Sequence, residues 1–128
     1  MLANFLLTEG QRREDGESGP LAVGSAKSKL VILTLGITSI IEQESLDVSV
    51  WVSKDAQDWS AKPAAAFPQK FYCGTYTILV DLAEHPDAEH LKVRWKMSRW
   101  GRGDPKPSFG FYVFAQESGV QTMAGAGV

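Results

Sequence analysis

The stretch LDVSVWVSKDAQDW, residues 46–59, decides the fold class. Leu46, Val48, Val50 and Val52 fall on one parity, and Asp47, Ser49, Trp51 and Ser53 on the other. Side chains of a strand point alternately to opposite sides, so this run predicts a strand with one face in a core and one toward water. The alternation then breaks into Lys54-Asp55-Ala56-Gln57-Asp58, where aspartate side chains favour a turn by bonding nearby backbone groups, and the turn ends on Trp59.

Working outward, the same period of two recurs. Over residues 90–100, Leu91, Val93, Trp95 and Met97 face one way, while Lys92, Arg94, Lys96 and Ser98 face the other. Over 107–116, Phe109, Phe111 and Val113 share one face, and Tyr112 and Phe114 the opposite one. The run KLVILTLGIT, residues 29–38, is nearly all apolar and β-branched, which predicts a central strand covered on both faces. Gly36 within it marks a bulge or a close backbone approach. FYCGTYTILVDL, residues 71–82, reads as one long strand with Tyr72, Tyr76, Ile78, Val80 and Leu82 on one parity and Cys73 as a small buried hydrophobe. Residues 4–8 read as a first edge strand.

The connecting segments carry turn chemistry. Residues 10–20, GQRREDGESGP, are glycine- and charge-rich and read as a loop or mobile arm. Residues 39–45 fit a short helical turn or a strand-end loop. In residues 61–69 two prolines discourage helix and central strand, leaving a loop anchored by Phe67. Residues 84–89 form a polar turn around Pro86, residues 100–107 a glycine- and proline-rich loop, and residues 118–128 a tail. The pattern predicts an all-β chain: a single antiparallel β-sandwich, jelly-roll-like, with a core over about residues 28–116.

Composition sets outer bounds. A length of 128 residues fits one domain, here 1–128, large enough for a core without covalent staples. Hydrophobic content of 44% with 22% charged residues excludes a wholly disordered chain. A net charge of −2 provides no general attraction for nucleic acid or anionic membrane. A single cysteine rules out an internal disulfide. The start MLANFLLTEG lacks a basic segment and soon turns acidic, so a cytoplasmic or virion-associated protein without a signal peptide is expected.

Catalytic constellations are missing from the pattern. No phosphate-binding glycine loop, nucleophile elbow or zinc spacing occurs. His85 and His90 sit among Glu84, Asp87 and Glu89, but their spacing spans a proline turn, and a solvated turn is the simpler reading than metal. Arg102-Gly103-Asp104 reads as a tight turn before proline rather than an adhesion motif. The Lys92, Arg94, Lys96 stripe, with Arg99 and Arg102 beyond it, could meet phosphates; the acidic balance argues for a solvated or protein-covered face instead. Exposed tryptophans can stack on sugars or anchor protein interfaces. Candidate contact residues are therefore Trp51, Trp59, Trp100, Arg94 and Arg102, with Trp51 the better partner contact and Trp59 part of a structural turn.

The order of the pieces resembles small β-sandwich proteins of phage head-decoration or minor-virion type. There a strand like LDVSVWVS runs into an S-x-D-G-x-x-W turn, a later strand resembles HLKVRW, and a last one resembles PSFGFYVFA. Ser53, Asp55 and Trp59 match the first piece, Leu91, Val93 and Trp95 the second, and Pro107, Ser108, Phe109 and Phe111 the third, over roughly residues 20–116. Discoidin-like carbohydrate-binding sandwiches show a similar turn and a Y-L-R-V strand. Ala56 stands where the turn pattern has glycine, and His90 to Val93 lacks the aromatic and arginine of the discoidin-like strand. The resemblance implies a sandwich with a non-catalytic role and supplies no active-site residues. The expectation is a structural or assembly protein forming homo-oligomeric contacts, as in a virion-like or other repeating shell, without cofactor, metal or membrane contact. The alternative is a carbohydrate-binding module.

Overall fold

The structure is a computed structural model that describes residues 2–24, 30–41, 43–100 and 106–118. Among these residues the alternating segments form nine strands: β1 (Ala3–Arg12), β2 (Gly16–Glu17), β3 (Leu21–Ala22), β4 (Leu30–Ile40), β5 (Glu44–Ser53), β6 (Ala65–Ala66), β7 (Gly74–Asp81), β8 (His90–Arg99) and β9 (Phe109–Glu117). A single 3₁₀ turn, Leu82–Glu84, follows β7, and the Asp81 carboxylate caps it by accepting from the Ala83 amide.

The strands lie in two antiparallel sheets. The first has the order β1-β9-β4-β7; the second has β2-β8-β5-β6, with β3 adding to β8. The pairings are nested: β5 with β6, then β4 with β7, β2 with β8, and β1 with β9. Such nesting is what a long hairpin gives when it folds over into two layers, and it is the winding of a jelly roll. The chain is thus an all-β sandwich of the expected class.

The core lies between the layers. From the first sheet it receives Val31, Leu33, Leu35, Ile37, Val80, Phe109, Phe111, Val113 and Ala115. The second sheet contributes the Leu46, Val48, Val50, Val52 parity together with Leu91, Val93 and Met97. Phe67 is buried as the anchor of its loop, as its flanking prolines suggested. The core also takes in Leu6 and Val23, so it starts well before residue 28.

Several segments differ from the sequence expectation. Strand β4 is interior to its sheet but buries only one face: Ile32 and Thr34 on the other side are half-buried and Thr38 is exposed. The segment 10–20 is not a loop or arm. Gly10 to Arg12 complete β1, and Gly16–Glu17 pair with Trp95 and Arg94 of β8. Its polar groups are used at the sheet edge: Asp15 accepts from the Met97 amide, the Ser18 amide donates to the Val93 carbonyl, and the Ser18 hydroxyl accepts from the Val93 amide. The strand expected over 71–82 begins only at Gly74, whose φ of +154° lies outside the range L-residues favour. Phe71, Tyr72 and Cys73 precede that break and are exposed, so neither Tyr72 nor Cys73 is a core residue. Residues 39–45 are the end of β4, a turn with Gln43 at φ +61°, and the start of β5. Ser118, assigned to the tail, is buried and donates its amide to the Leu30 carbonyl.

Gly36 shows the close approach its place in a strand suggested. It pairs with Tyr112, whose ring crosses it so closely that an added Cβ would lie 2.2 Å from ring carbons. The tyrosine ring covers the backbone that glycine leaves bare.

Candidate interaction surfaces

Four regions of surface bear on function. The first is the outer face of the second sheet, which holds two of the candidate tryptophans and Arg94. The Arg94 guanidinium lies over the Trp51 ring at 4.2 Å, and the Lys92 ammonium lies over Trp59 at 4.3 Å. Glu17 joins both cations, at 3.1 Å to Lys92 Nζ and 3.3 Å to Arg94 Nε. The hydrogen bond from Lys92, then the charges of Lys92 and Arg94, hold the Glu17 carboxyl below the usual range despite some desolvation. Trp51 Nε1 donates to Ser49 Oγ at 2.9 Å. Lys92 is only 5% exposed, its stem covered between neighbours on the sheet. Trp51, Trp59, Lys92 and Arg94 therefore interact mainly with one another and with Glu17. The basic stripe seen in the sequence is countered by an acid from a segment far away in the chain.

Beside this ladder the 53–59 turn has a defined hydrogen-bond scaffold. Ser53 Oγ donates to the Asp58 carbonyl and accepts from the Asp55 and Ala56 amides. Asp55 Oδ1 accepts from the Gln57 and Asp58 amides. The bonds from Asp58 and Gln57 lower the Asp55 pKa. Ala56 occupies the left-handed region with φ +65°. Trp59 forms a bridge back to Ser53, and its ring lies against Lys92 of β8 beside the His85 to Ala88 turn. A shallow cleft of about 300 Å³ lies between this turn and the His85 to Ala88 turn.

A second region lies where β4 passes to β5. Trp100 is 59% exposed, the most open of the four tryptophans. It packs edge-on against Phe71 with centroids 6.2 Å apart, and Tyr72 stands beside Phe71. These rings, with Ile40, Gln43 and Glu44, line a cleft of about 330 Å³. At its floor Glu44 is buried and accepts from the Ile41 and Ser108 amides at 2.9 and 2.7 Å. This carboxylate ties the β4–β5 turn to the start of β9. Parity alone carries Phe71 and Tyr72 into the following strand, which begins only at Gly74, and so conceals them as surface rings.

The third region is the outer face of the first sheet. Phe5 is 53% exposed and Leu79 is 58% exposed. Between them lie half-buried Ile32, Tyr112 and Phe114. Register fixes their adjacency: Leu79 opposes Ile32, Phe114 opposes Phe5, and Thr77 and Phe114 flank Thr34. Phe5 meets Phe114 and Tyr112 edge-on at 4.9 and 5.8 Å. The centre of this face carries no charge but is not wholly apolar: Thr34 and Thr77 lie in the row with Phe114, and Gln116 opposes Ile32; Glu9 and Asp81 stand at its margins.

The fourth is the edge of β7, which bounds the same sheet and pairs with no further strand among the described residues. Of the five sequence candidates, the structure thus brings Trp51, Trp59 and Arg94 onto one face and sets Trp100 apart. Arg102 lies outside the described residues. His85 sits in the turn beside Trp59, whereas His90 is on β8. Among the described residues no three His, Cys, Asp or Glu side chains group to hold a metal, and no helix is long and apolar enough to cross a membrane.

No protein-family model matches the chain, and no curated protein matches it.

Proposed function

We propose that this chain is a non-catalytic structural protein that acts by associating with copies of itself, as a component of a virion-like or other repeating shell. The observation that carries the reading is the charge-free outer face of the first sheet, where Phe5 and Leu79 stand more than half exposed around Ile32, Phe114 and Tyr112, with threonines and Gln116 as its polar groups. A water-facing side of an antiparallel sheet ordinarily alternates to polar residues. A contiguous apolar patch with a polar rim is the anatomy of a protein interface. The jelly-roll winding is compatible with this use, since capsid domains share it, although lectin domains do too and fold alone does not assign function.

Replacing Phe5 and Leu79 together by serine tests the reading. Both side chains are exposed, so the fold should persist while self-association weakens by about tenfold or more. Unchanged association of the folded double variant would remove this face from the interface.

A second reading has its own observation. Trp100, Tyr72 and Phe71 line a concave site beside the exposed Gln43, a mix of ring faces and an amide that suits a sugar. A glycan array in which binding appears and is lost in Trp100→Ala supports a carbohydrate-binding module. An array without binding removes it.

A further inference from the structure

We infer that β7 is an assembly edge, pairing antiparallel with β7 of a second copy to continue the first sheet across two molecules. This inference rests on the self-association reading and specifies the strand through which it occurs.

The argument begins with how the other edges are built. An edge strand exposes unpaired amides and carbonyls, and proteins blunt such edges with charge, bulges, proline or short length. At the opposite edge of the same sheet, β1 has two register shifts against β9, between Phe5 and Leu7 and between Leu7 and Gly10. It carries Glu9 and Arg12, and the Arg12 guanidinium donates to the Thr8, Gly10 and Phe111 carbonyls. Those acceptors are already engaged. In the second sheet the outer strands β2, β3 and β6 are two residues each. All of these edges are protected.

Strand β7 is less protected: its one charge is the terminal Asp81, although β6 of the second sheet lies near it. It runs for 8 residues, GTYTILVD, and its register against β4 is unbroken from Gly74 to Asp81. From Gly74 to Val80 there is no charge and no proline. Among the described residues no strand pairs with its far side. Threonine, tyrosine, isoleucine, leucine and valine make this a strongly strand-forming segment. A long, regular, uncharged edge is a template for another extended chain.

The occupant that fits is a second copy. Among the described residues, charges at this edge are confined to Asp81 at one end and to Lys70 over the Tyr76 ring, so the backbone edge over residues 74–80 carries no charge of its own to select an acidic or basic foreign strand. It is self-complementary: a two-fold axis at Thr77 sets Thr75 opposite Leu79 on the outer face and Tyr76 opposite Ile78 on the inner face. Paired residues then share a face, so the two cores stay on the same side and two 4-stranded sheets become one continuous sheet. Leu79 then faces Thr75 of the second copy, so the charge-free outer faces of the two first sheets run on across the seam.

Charge substitution at Thr77 tests the pairing, because its side chain is exposed and stands near the axis. Thr77→Lys and Thr77→Glu should each weaken association of the full chain by about tenfold or more, since like charges face each other across the axis. An equimolar mixture of the two should associate again. Thr8→Lys, exposed on the β1 edge, should associate as the unsubstituted chain does. If the unsubstituted chain is monomeric, both this inference and the self-association reading fail. If Thr77→Lys associates normally while the Phe5 and Leu79 serine variant does not, the edge pairing is wrong and self-association stands. Hydrogen exchange on the unsubstituted chain covers the case of a variant that misfolds. Alternate β7 amides should become protected only at concentrations where the chain associates. Protection already complete at high dilution would mean another part of the same chain occupies the edge, and no protection at any concentration would mean nothing does; either overturns the pairing.

Discussion

Ala56 sits at φ +65° in the turn that follows the core strand of the second sheet. A Cβ in that region costs roughly 1–2 kcal/mol, and glycine would relieve it while losing roughly 0.4–1 kcal/mol to a more flexible unfolded chain. Ala56→Gly should therefore stabilise the protein by about 0.5–1 kcal/mol, read as a raised denaturant midpoint with an unchanged slope. A lowered midpoint would show that the turn gains something from alanine. Asp55, in the same turn, and Glu17, on the cation ladder, both have folded pKa values below their ordinary 3.8 and 4.5. A depressed carboxylate stabilises the folded state above its unfolded pKa and loses that contribution as pH falls through the folded value. The melting temperature should be flat with respect to these groups above about pH 5 and fall below about pH 4.5. Asp55→Asn should flatten part of that fall; an acid profile identical to the unsubstituted chain would disprove the assignment.

At the scale of elements, β8 is held from both faces. Its inner side chains enter the core, and on its outer side Lys92 lies between Trp59 and Glu17. Because Lys92 is buried while Glu17 is half exposed, the two ends of the ion pair should differ in consequence. Lys92→Ala removes packing as well as charge and should cost about 1–2 kcal/mol, whereas Glu17→Gln should cost about 1 kcal/mol or less. Equal losses in thermal or chemical denaturation would show that charge alone matters. These elements also show what the sequence reveals. Strands β5, β8 and β9 are legible because each buries one face, and burial imposes a period of two. Segment 10–20 is not, because β2 spans only Gly16–Glu17 and its hydrogen bonds go to a strand nearly 80 residues onward. Periodicity cannot register so short an element. Phe71 and Tyr72 were misplaced because parity was carried through Gly74, whose backbone ends the alternation. Trp51 and Trp100 illustrate the limit for a site: sequence shows an aromatic off the core parity, but not that Arg94 covers one and that the other stands open.

The whole molecule is a jelly roll with unequal edges and unequal faces. Three sides of the two sheets are closed by short strands, bulges or an arginine that engages the carbonyls, and the outer face of the second sheet is a network of paired charges and rings. Among the described residues, what remains open is the charge-free outer face of the first sheet with the β7 edge that borders it, and, apart from these, the cleft of Trp100, Phe71 and Tyr72. A charge-free face bordered by an unpaired strand edge suits a protein that meets its own kind. The native mass in solution tests this most directly. Light scattering on the full chain from low to high micromolar concentration should give a mass at least twice the 14.0 kDa of one chain, rising with concentration. A mass that stays at one chain over the whole range would contradict self-association and, with it, the proposed role of the open side.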